Sequence, residues 1–196
     1  MFHYFLKFIG FFLFTFLWRL EVEGLENIPK KGKVILAGNH CSYLDPMVLF
    51  YICPRKFHAV VMKMMYDIWW LRWVFDLTGC IPTNGSSHGA VEALHQDKAV
   101  LIFPEGGCSH DGKIGKPRRG AAVLALKSGA LVVPIVIKGT YEAWPVKQLT
   151  PTIFIKLKVR IGKPFSFDQV DLETIPEQLL DSSTSIIMGK IKELLL

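Results

Sequence analysis

The chain has only four cysteines in 196 residues, Cys41, Cys53, Cys80 and Cys108, and their spacing is wide and irregular. No CxxC pair and no His-rich partner motif accompanies them, so no zinc site and no disulfide framework is expected, and a reducing compartment is the default. An Arg-rich stripe and a recognisable nucleic-acid module are missing too, which leaves nucleic acid unsupported as a partner. There is no internal repeat and no low-complexity tract. The apolar front of the chain, "FHYFLKFIGFFLFTFLWRL" over residues 2 to 20, holds an uninterrupted stretch of only about 11 residues, against the roughly 20 that a spanning helix needs. The sequence that follows, "FLWRLEVEGLENIP", offers no A-x-A-like exit site, so a cleaved signal peptide is not expected either.

What is present is apolar and basic. Hydrophobic residues make up 51% of the chain, with 14 Phe and 5 Trp, and the formal net charge is +6. With a mean hydropathy of +0.31, this is more apolar than an ordinary soluble enzyme, and the positive balance suits an anionic membrane surface or an anionic substrate. Trp18 beside Arg19 reads as an interfacial anchor, with the ring at headgroup depth and the guanidinium reaching lipid phosphate. Residues 1–20 are therefore expected to be an apolar membrane-associating helix, monotopic in attachment, and residues 21–196 a single domain. A buried core helix is the alternative for the front segment.

After Leu20 the pattern alternates. "KVILAG", "KFHAVVMK", "AVLIFPEGG", "LVVPIVIKG" and "TIFIKLKVRIG" read as strands, the fourth in spite of Pro134. "MVLFYIC", "MYDIWWLRWVFDLTG", "SSHGAVEALHQ", "RGAAVLALKSG" and the tail from Leu172 read as helices, with Gly129 in the favoured position past a helix end. This alternation predicts an α/β fold, a largely parallel or mixed central sheet flanked by helices. Trp69, Trp70 and Trp73 with Arg72 read either as core or as an aromatic, basic membrane-facing surface.

In open α/β sheets ligands bind outside the carboxyl ends of the strands, where loops lead into helix N-termini. Two polar motifs occupy such ends, "NHCSYLD" after "VILAG" and "PEGGCSHDG" after "AVLIF", so they share a crevice if their strands are parallel neighbours. Asp45 followed by Pro46 has the signature of a helix N-cap. His40 has no such structural explanation and suits a general base, with Asp45 fixing its tautomer. On a continuous helix residues five apart point about 140° apart, so their pairing needs a non-helical turn, which "CSYL" can supply. One carboxylate oxygen could then cap the helix while the other meets the imidazole.

These blocks resemble a known family. "NHCSYLDP" is similar to the NHxSxxD block of the glycerophospholipid acyltransferases, which include the lysophosphatidate acyltransferases. "FPEGGCSHDGKIGKPRRGAAVLAL" resembles their FPEGTR block, and "VVPIVIKGTYEAWP" their VPV-containing block. HxxxxD alone is weak, but FPEG about 60 residues later, then GAAxLAL and VPI, is a specific combination covering residues 21 to 165. The resemblance implies transfer of an acyl group from acyl-CoA or acyl carrier protein to a lysophospholipid hydroxyl, most simply 1-acylglycerol 3-phosphate to phosphatidate. It implies no cofactor and no metal. It also implies catalytic roles for His40 and Asp45, a substrate-binding role for Glu105 and Gly106, and a membrane-associated enzyme, expected on the cytoplasmic face.

Two departures bear on the acceptor. Gly107 and Cys108 stand where Thr and Arg are usual, and Asn84 or Gly85 stands where the second block usually has Arg. A phosphate monoester wants charge-assisted donors. Lys116, Arg118 and Arg119 of "KIGKPRRG" could substitute, and Lys63 at the end of "HAVVMK" could contact a substrate phosphate. The alternatives are an acyltransferase for another lysolipid headgroup and a non-catalytic lipid-binding relative. His58, His88, His95 and His110 have no partner motif.

Overall fold

Among the residues described in the computed structural model, namely 10, 12–170 and 175–196, seven strands join in one sheet. They are β1 (Glu21–Glu23), β2 (Val34–Gly38), β3 (Phe57–Met62), β4 (Ile81–Thr83), β5 (Ala99–Ile102), β6 (Leu131–Lys138) and β7 (Lys158–Ile161), in the order β1-β7-β6-β2-β5-β3-β4. Every neighbouring pair is parallel except β6 with β7, so the sheet is mixed. From Leu44 on, the α-helices are α1 (Leu44–Ile52), α2 (Lys63–Tyr66), α3 (Trp69–Thr78), α4 (His88–His95), α5 (Gly120–Ser128), α6 (Thr140–Ala143) and α7 (Glu177–Glu193).

The near-continuous apolar runs of the central strands follow from helices on both faces. In β2, Val34 and Leu36 pack into one core with Leu44, Val48 and Leu49 of α1, while Ile35 and Ala37 pack into the other with α4, α5 and α7. All five residues of β2 are buried, and burying each large aliphatic side chain stabilises the fold by about 1.5–3 kcal/mol. Pro134 is tolerated inside β6 because the β6–β7 ladder ends at Ile135 opposite Ile161, and beyond it Pro134 only accepts from Gly162 N–H at 2.8 Å.

Three expectations change. The single helix read over "MYDIWWLRWVFDLTG" is two, α2 and α3, and "TIFIKLKVRIG" is a strand only from Lys158. Before Lys158 the backbone serves the N-terminal segment instead of a ladder, since Phe154 N–H donates to Leu17 O at 2.7 Å and Leu157 N–H to Trp18 O at 2.9 Å. Half of the expected membrane-associating helix over residues 1–20 lies outside the described residues. Of the part described, Trp18 is no interfacial anchor: it is 4% exposed, packs on Phe14, and donates its Nε1–H to Thr152 O at 2.9 Å. The described residues contain no helix long and apolar enough to cross a membrane.

Candidate active site

β2 and β5 are parallel neighbours, so the two polar motifs leave the sheet side by side. The chain quits β2 through Asn39, whose amide adds one more rung toward β6: Nδ2–H donates to Ile137 O at 3.0 Å and Oδ1 accepts Ile137 N–H at 2.8 Å. His40 is thereby set at a fixed point above the strand end. A non-helical bend at residues 41–43 then returns Asp45 to it, with Asp45 Oδ2 at 2.9 Å from His40 Nδ1. The same oxygen accepts Cys41 N–H at 2.7 Å and Ser42 N–H at 2.9 Å.

Asp45 does not cap α1. It lies inside the helix's first turn, and Oδ1 is buried with no hydrogen-bond partner among the described residues. The amides that hold Oδ2 precede the helix, so the carboxylate is spent on the bend. Ser42 serves the helix end instead, its Oγ accepting Leu44 N–H at 3.1 Å and donating to Trp144 O at 2.6 Å.

The loop after β5 clamps this turn from the other side. Phe103 stacks on the His40 ring with centroids 4.1 Å apart and planes at 15°. Glu105 is a bridge: Oε1 accepts His40 N–H at 2.9 Å and Oε2 accepts Gly115 N–H at 2.7 Å. Ser109 N–H donates back to His40 O at 2.7 Å. The imidazole is thus fixed at its backbone, one face and Nδ1. With Nδ1–H donated to Asp45, Nε2 is the nitrogen with a lone pair to offer. The side chain is 18% exposed while Asp45 is at 0%, so a substrate reaches the His and not the Asp.

The same loop, joined to His40 through Glu105, opens a cavity of about 450 Å³ whose lining includes Glu105, Gly106, Cys108, Lys113, Lys116 and Arg118 but not His40. Gly106 stands at φ +70°, and a Cβ there would come within 2.5 Å of Arg118 Cδ. The missing side chain is what lets Arg118 lie across the loop. Arg119, expected beside them, is turned to the far side: its guanidinium grips Asp181 of α7 at 2.7 and 3.0 Å and Glu177 at 3.2 Å. Lys63, exposed at the start of α2, stands on the same rim of the sheet and is not part of the cavity lining.

The positions that depart from the family pattern have local explanations. Gly85 has φ +105°, a conformation in which an arginine would be strained, and its N–H is held by Thr83 Oγ1 at 3.1 Å. Cys108 is half-buried, and burial together with Asp45, Cys41 and Glu105 nearby pushes its thiol up to about 12. Burial with Asp45 does the same to Cys41, also to about 12, and its Sγ lies 3.3 Å from Thr140 Oγ1. Neither is a thiolate at neutral pH, so neither competes with His40 as the reactive group. Among the described residues no cluster of three or more His, Cys, Asp or Glu side chains could hold a metal. His58 Nδ1 is bonded to Gly79 O at 2.6 Å, and His88, His95 and His110 are exposed.

Sequence reasoning missed Ser42 and Lys113, and it kept Asn39 as part of the NHxSxxD block without a role. The Ser at the second position of the bend was a signal for the helix end, and Lys113 sits in the same basic run as Lys116. Asn39 has no local signal, because its partner lies 98 residues on.

Comparison with known proteins gives the family. A family model described as Acyltransferase matches residues 19–138. A 1-acyl-sn-glycerol-3-phosphate acyltransferase of Borreliella burgdorferi is 28% identical over 181 residues, 88% of this chain and 70% of the relative. The chloroplastic 1-acyl-sn-glycerol-3-phosphate acyltransferase LPAT1 of Arabidopsis thaliana is 27% identical over 164 residues, and this chain covers 46% of its length. The chain thus spans about half the length of the plant relative. Among solved structures, the 1-acyl-sn-glycerophosphate acyltransferase PlsC from Thermotoga maritima superposes with a TM-score of 0.76 at 25% identity, covering 98% of this chain and 79% of that one.

Proposed function

Starting from the fact that this chain belongs to the Acyltransferase family, we propose that it moves a fatty acyl group from a thioester to the free hydroxyl of a lysoglycerolipid, with 1-acyl-sn-glycerol 3-phosphate the first candidate acceptor and phosphatidate the product. The observation that carries this reading is the 2.9 Å contact from His40 Nδ1 to a fully buried Asp45, with the imidazole itself 18% exposed.

His40 Nε2 takes the acceptor's hydroxyl proton as that oxygen attacks the thioester carbonyl. The oxygen–acyl bond forms and a tetrahedral intermediate results. The intermediate collapses by breaking the carbon–sulfur bond, and the leaving thiolate recovers the proton from the imidazolium. Asp45 Oδ2 holds the Nδ1–H tautomer and offsets the charge on the imidazolium while it exists. A thioester is already activated, so no covalent enzyme intermediate is needed. A positioned base of this kind contributes about 10²- to 10⁴-fold in rate.

For the acceptor, Glu105 and Gly106 shape the wall of the cavity joined to His40 through Glu105, and Lys113, Lys116 and Arg118 offer cations to an anionic headgroup there. These cations stand in for the guanidinium groups absent at Cys108 and at Asn84 and Gly85. Lys63, on the same rim, is assigned to a substrate phosphate farther out. Acyl-CoA or acyl carrier protein is the donor, and the enzyme works monotopically on the cytoplasmic face of a membrane.

A different lysolipid headgroup is the second reading, favoured by the neutral Cys108 at the position where the family has an arginine. Purified protein given long-chain acyl-CoA, or acyl carrier protein, with a panel of lysolipids decides between them. Turnover restricted to lysophosphatidate is expected; turnover only of zwitterionic lysolipids selects the second reading, and turnover of none defeats both.

A further inference from the structure

The carboxyl-end rim of the sheet carries apolar groups on both sides of His40 that the mechanism does not use. On one side lies the loop between α6 and β7, where Leu149 is 95%, Ile153 45% and Phe154 63% exposed. On the other lie α2 and α3, with Met64 71%, Trp69 83% and Trp73 59% exposed. The geometry points to a two-lipped docking face for an anionic phospholipid bilayer, with the 149–154 loop as one lip, α2–α3 as the other, and His40 in the gap between them.

The topology fixes this arrangement. β2, β5, β3 and β6 all run toward the rim, so the loops that follow them meet there. His40 follows β2, which lies between β6, the source of the first lip, and β3, the source of the second. Apolar surface is therefore set on both flanks of the one place where substrate enters.

Each lip is built for an apolar medium. In the first, Gln148 turns its amide inward and donates to Thr150 O at 2.7 Å and Thr152 Oγ1 at 3.1 Å, while Trp144 Nε1–H donates to Gln148 O at 2.9 Å. The carbonyls of Gln148 and Thr150 are thereby satisfied from within the loop while Leu149, Ile153 and Phe154 are left outward, and backbone groups paired inside the protein are what entry into lipid requires. Phe154 is held at φ +63°, a backbone conformation that non-glycine residues rarely adopt, and the chain keeps it there while presenting a large ring to the outside. In the second, α3 reads WWLRWVFDLT, yet none of its described side chains is buried. It is tied to α2 by the stacking of Tyr66 on Phe75 and by Tyr66 Oη–H donating to Asp76, so its outer aromatic face is rigidly displayed. Trp at such a position suits the headgroup boundary.

A bilayer fits where a single protein partner does not. A protein spanning both lips would seal His40, whereas a lipid surface delivers its own acceptor through the gap. The charge agrees: Lys63, Lys147 and the Lys113, Lys116 and Arg118 group stand on this rim against Asp67, Asp111 and Glu142, and the whole chain carries +6. The inference rests on the lysolipid-acceptor reading above for why a membrane should meet the site.

The test uses the full chain and phosphatidylcholine vesicles with and without phosphatidylglycerol. Flotation is expected to show partition that rises with phosphatidylglycerol, and brominated lipid should quench the tryptophan fluorescence. Trp69→Ser with Trp73→Ser should abolish most of that quenching, and this pair and Leu149→Ser with Phe154→Gly should each lower partition by about tenfold or more. Leu149→Ser alone, at a residue with almost no contacts to lose, gives a smaller drop with no risk to folding. Turnover of a short-chain, monomeric lysophosphatidate should be unchanged in all of them. Wild-type partition in both paired variants overturns the proposal, as does an unchanged partition with a dimer-to-monomer shift in sedimentation, which would make the face a contact with a second copy. Lip-dependent vesicle binding with no turnover of any lysolipid would leave the docking face standing and remove the acyltransfer reading instead.

Discussion

The turn after β2 and the loop after β5 lie side by side on one rim and are built in opposite ways. The turn is buried and over-determined. Asn39, Asp45 and Ser42 each make more than one hydrogen bond, Asp45 within the turn, Asn39 out to Ile137 of β6 and Ser42 to both Leu44 and Trp144, and Asp45 is wholly inaccessible. The loop from Glu105 to Arg118 is glycine-rich and open, with its lysines and Arg118 exposed around a cavity. The difference maps onto two chemical needs. Proton transfer demands a base held to within a fraction of an ångström, whereas a headgroup site must admit a charged ligand and release its product. Substitutions in the turn should therefore act on kcat and substitutions in the loop on acceptor KM.

The largest effect expected is at His40. His40→Ala should lower kcat by about 10²- to 10⁴-fold with acceptor KM little changed. Asp45→Asn should come close to it, because an amide in place of Oδ2 can no longer take three donors and hold the same tautomer. Steady-state kinetics with an intact circular dichroism spectrum is the measurement; a His40→Ala enzyme keeping most of its rate would remove the base from the mechanism.

Glu105 is where the comparison is sharpest, since its two oxygens join the regions, one holding His40 N–H and the other Gly115 N–H. Glu105→Ala frees both amides at once. Its expected signature is mixed, a fall in kcat together with a rise in acceptor KM, each by about tenfold or more. Glu105→Gln, which keeps one acceptor oxygen, should recover one parameter better than the other. A pure KM effect in Glu105→Ala would mean the carboxylate touches the acceptor and does little for His40.

Smaller effects are expected from the open loop. Lys116→Ala and Arg118→Ala should each raise KM for lysophosphatidate by up to about tenfold without changing kcat, and the penalty should shrink as salt is added. Arg119→Ala serves as the internal control: its guanidinium is engaged with α7, so it should leave acceptor KM alone. Equal effects at Arg118 and Arg119 would reduce both to a general electrostatic field.

That pair also shows what could be read in advance. The runs "VILAG" and "AVLIF" ending in polar motifs put both motifs on one rim on the condition that their strands are parallel neighbours, and "CSYL" offered the non-helical turn that pairing His40 with Asp45 requires. Both are local patterns whose consequences are set by strand direction. The division of labour inside each motif was not legible. Arg118 and Arg119 are adjacent and chemically identical, and only the approach of α7 decides that one faces the cavity and the other faces Asp181. Glu105 resembles a solvent-facing turn residue until the amides of His40 and Gly115 are seen to converge on it. The aromatic spacing of α3 indicated an apolar face without saying what would cover it, and the fold leaves that face uncovered.

The smallest effect tests the electrostatics where the two regions meet. Cys108 belongs to the open loop, yet burial and the carboxylates of Asp45 and Glu105 push its thiol up to about 12, against an ordinary value of 9.0. In the unfolded chain this thiol ionises near its ordinary value, whereas in the folded protein it stays protonated. The unfolded state therefore binds fewer protons between about pH 9 and 12, and folding stability falls as pH rises through that window. Cys41 has the same sign and the same window. Urea unfolding across pH 7 to 11 should show a plateau up to about pH 9 and a decline above it, and Cys108→Ala should make that decline shallower without altering the plateau's end. Alkylation of Cys108 by iodoacetamide at pH 8 should correspondingly be far slower in the folded protein than in urea, since the thiolate is the reacting species. Rapid alkylation of the native protein would mean that the loop opens onto the carboxylates, and the contrast between a closed turn and an open loop would then extend to the residues that join them.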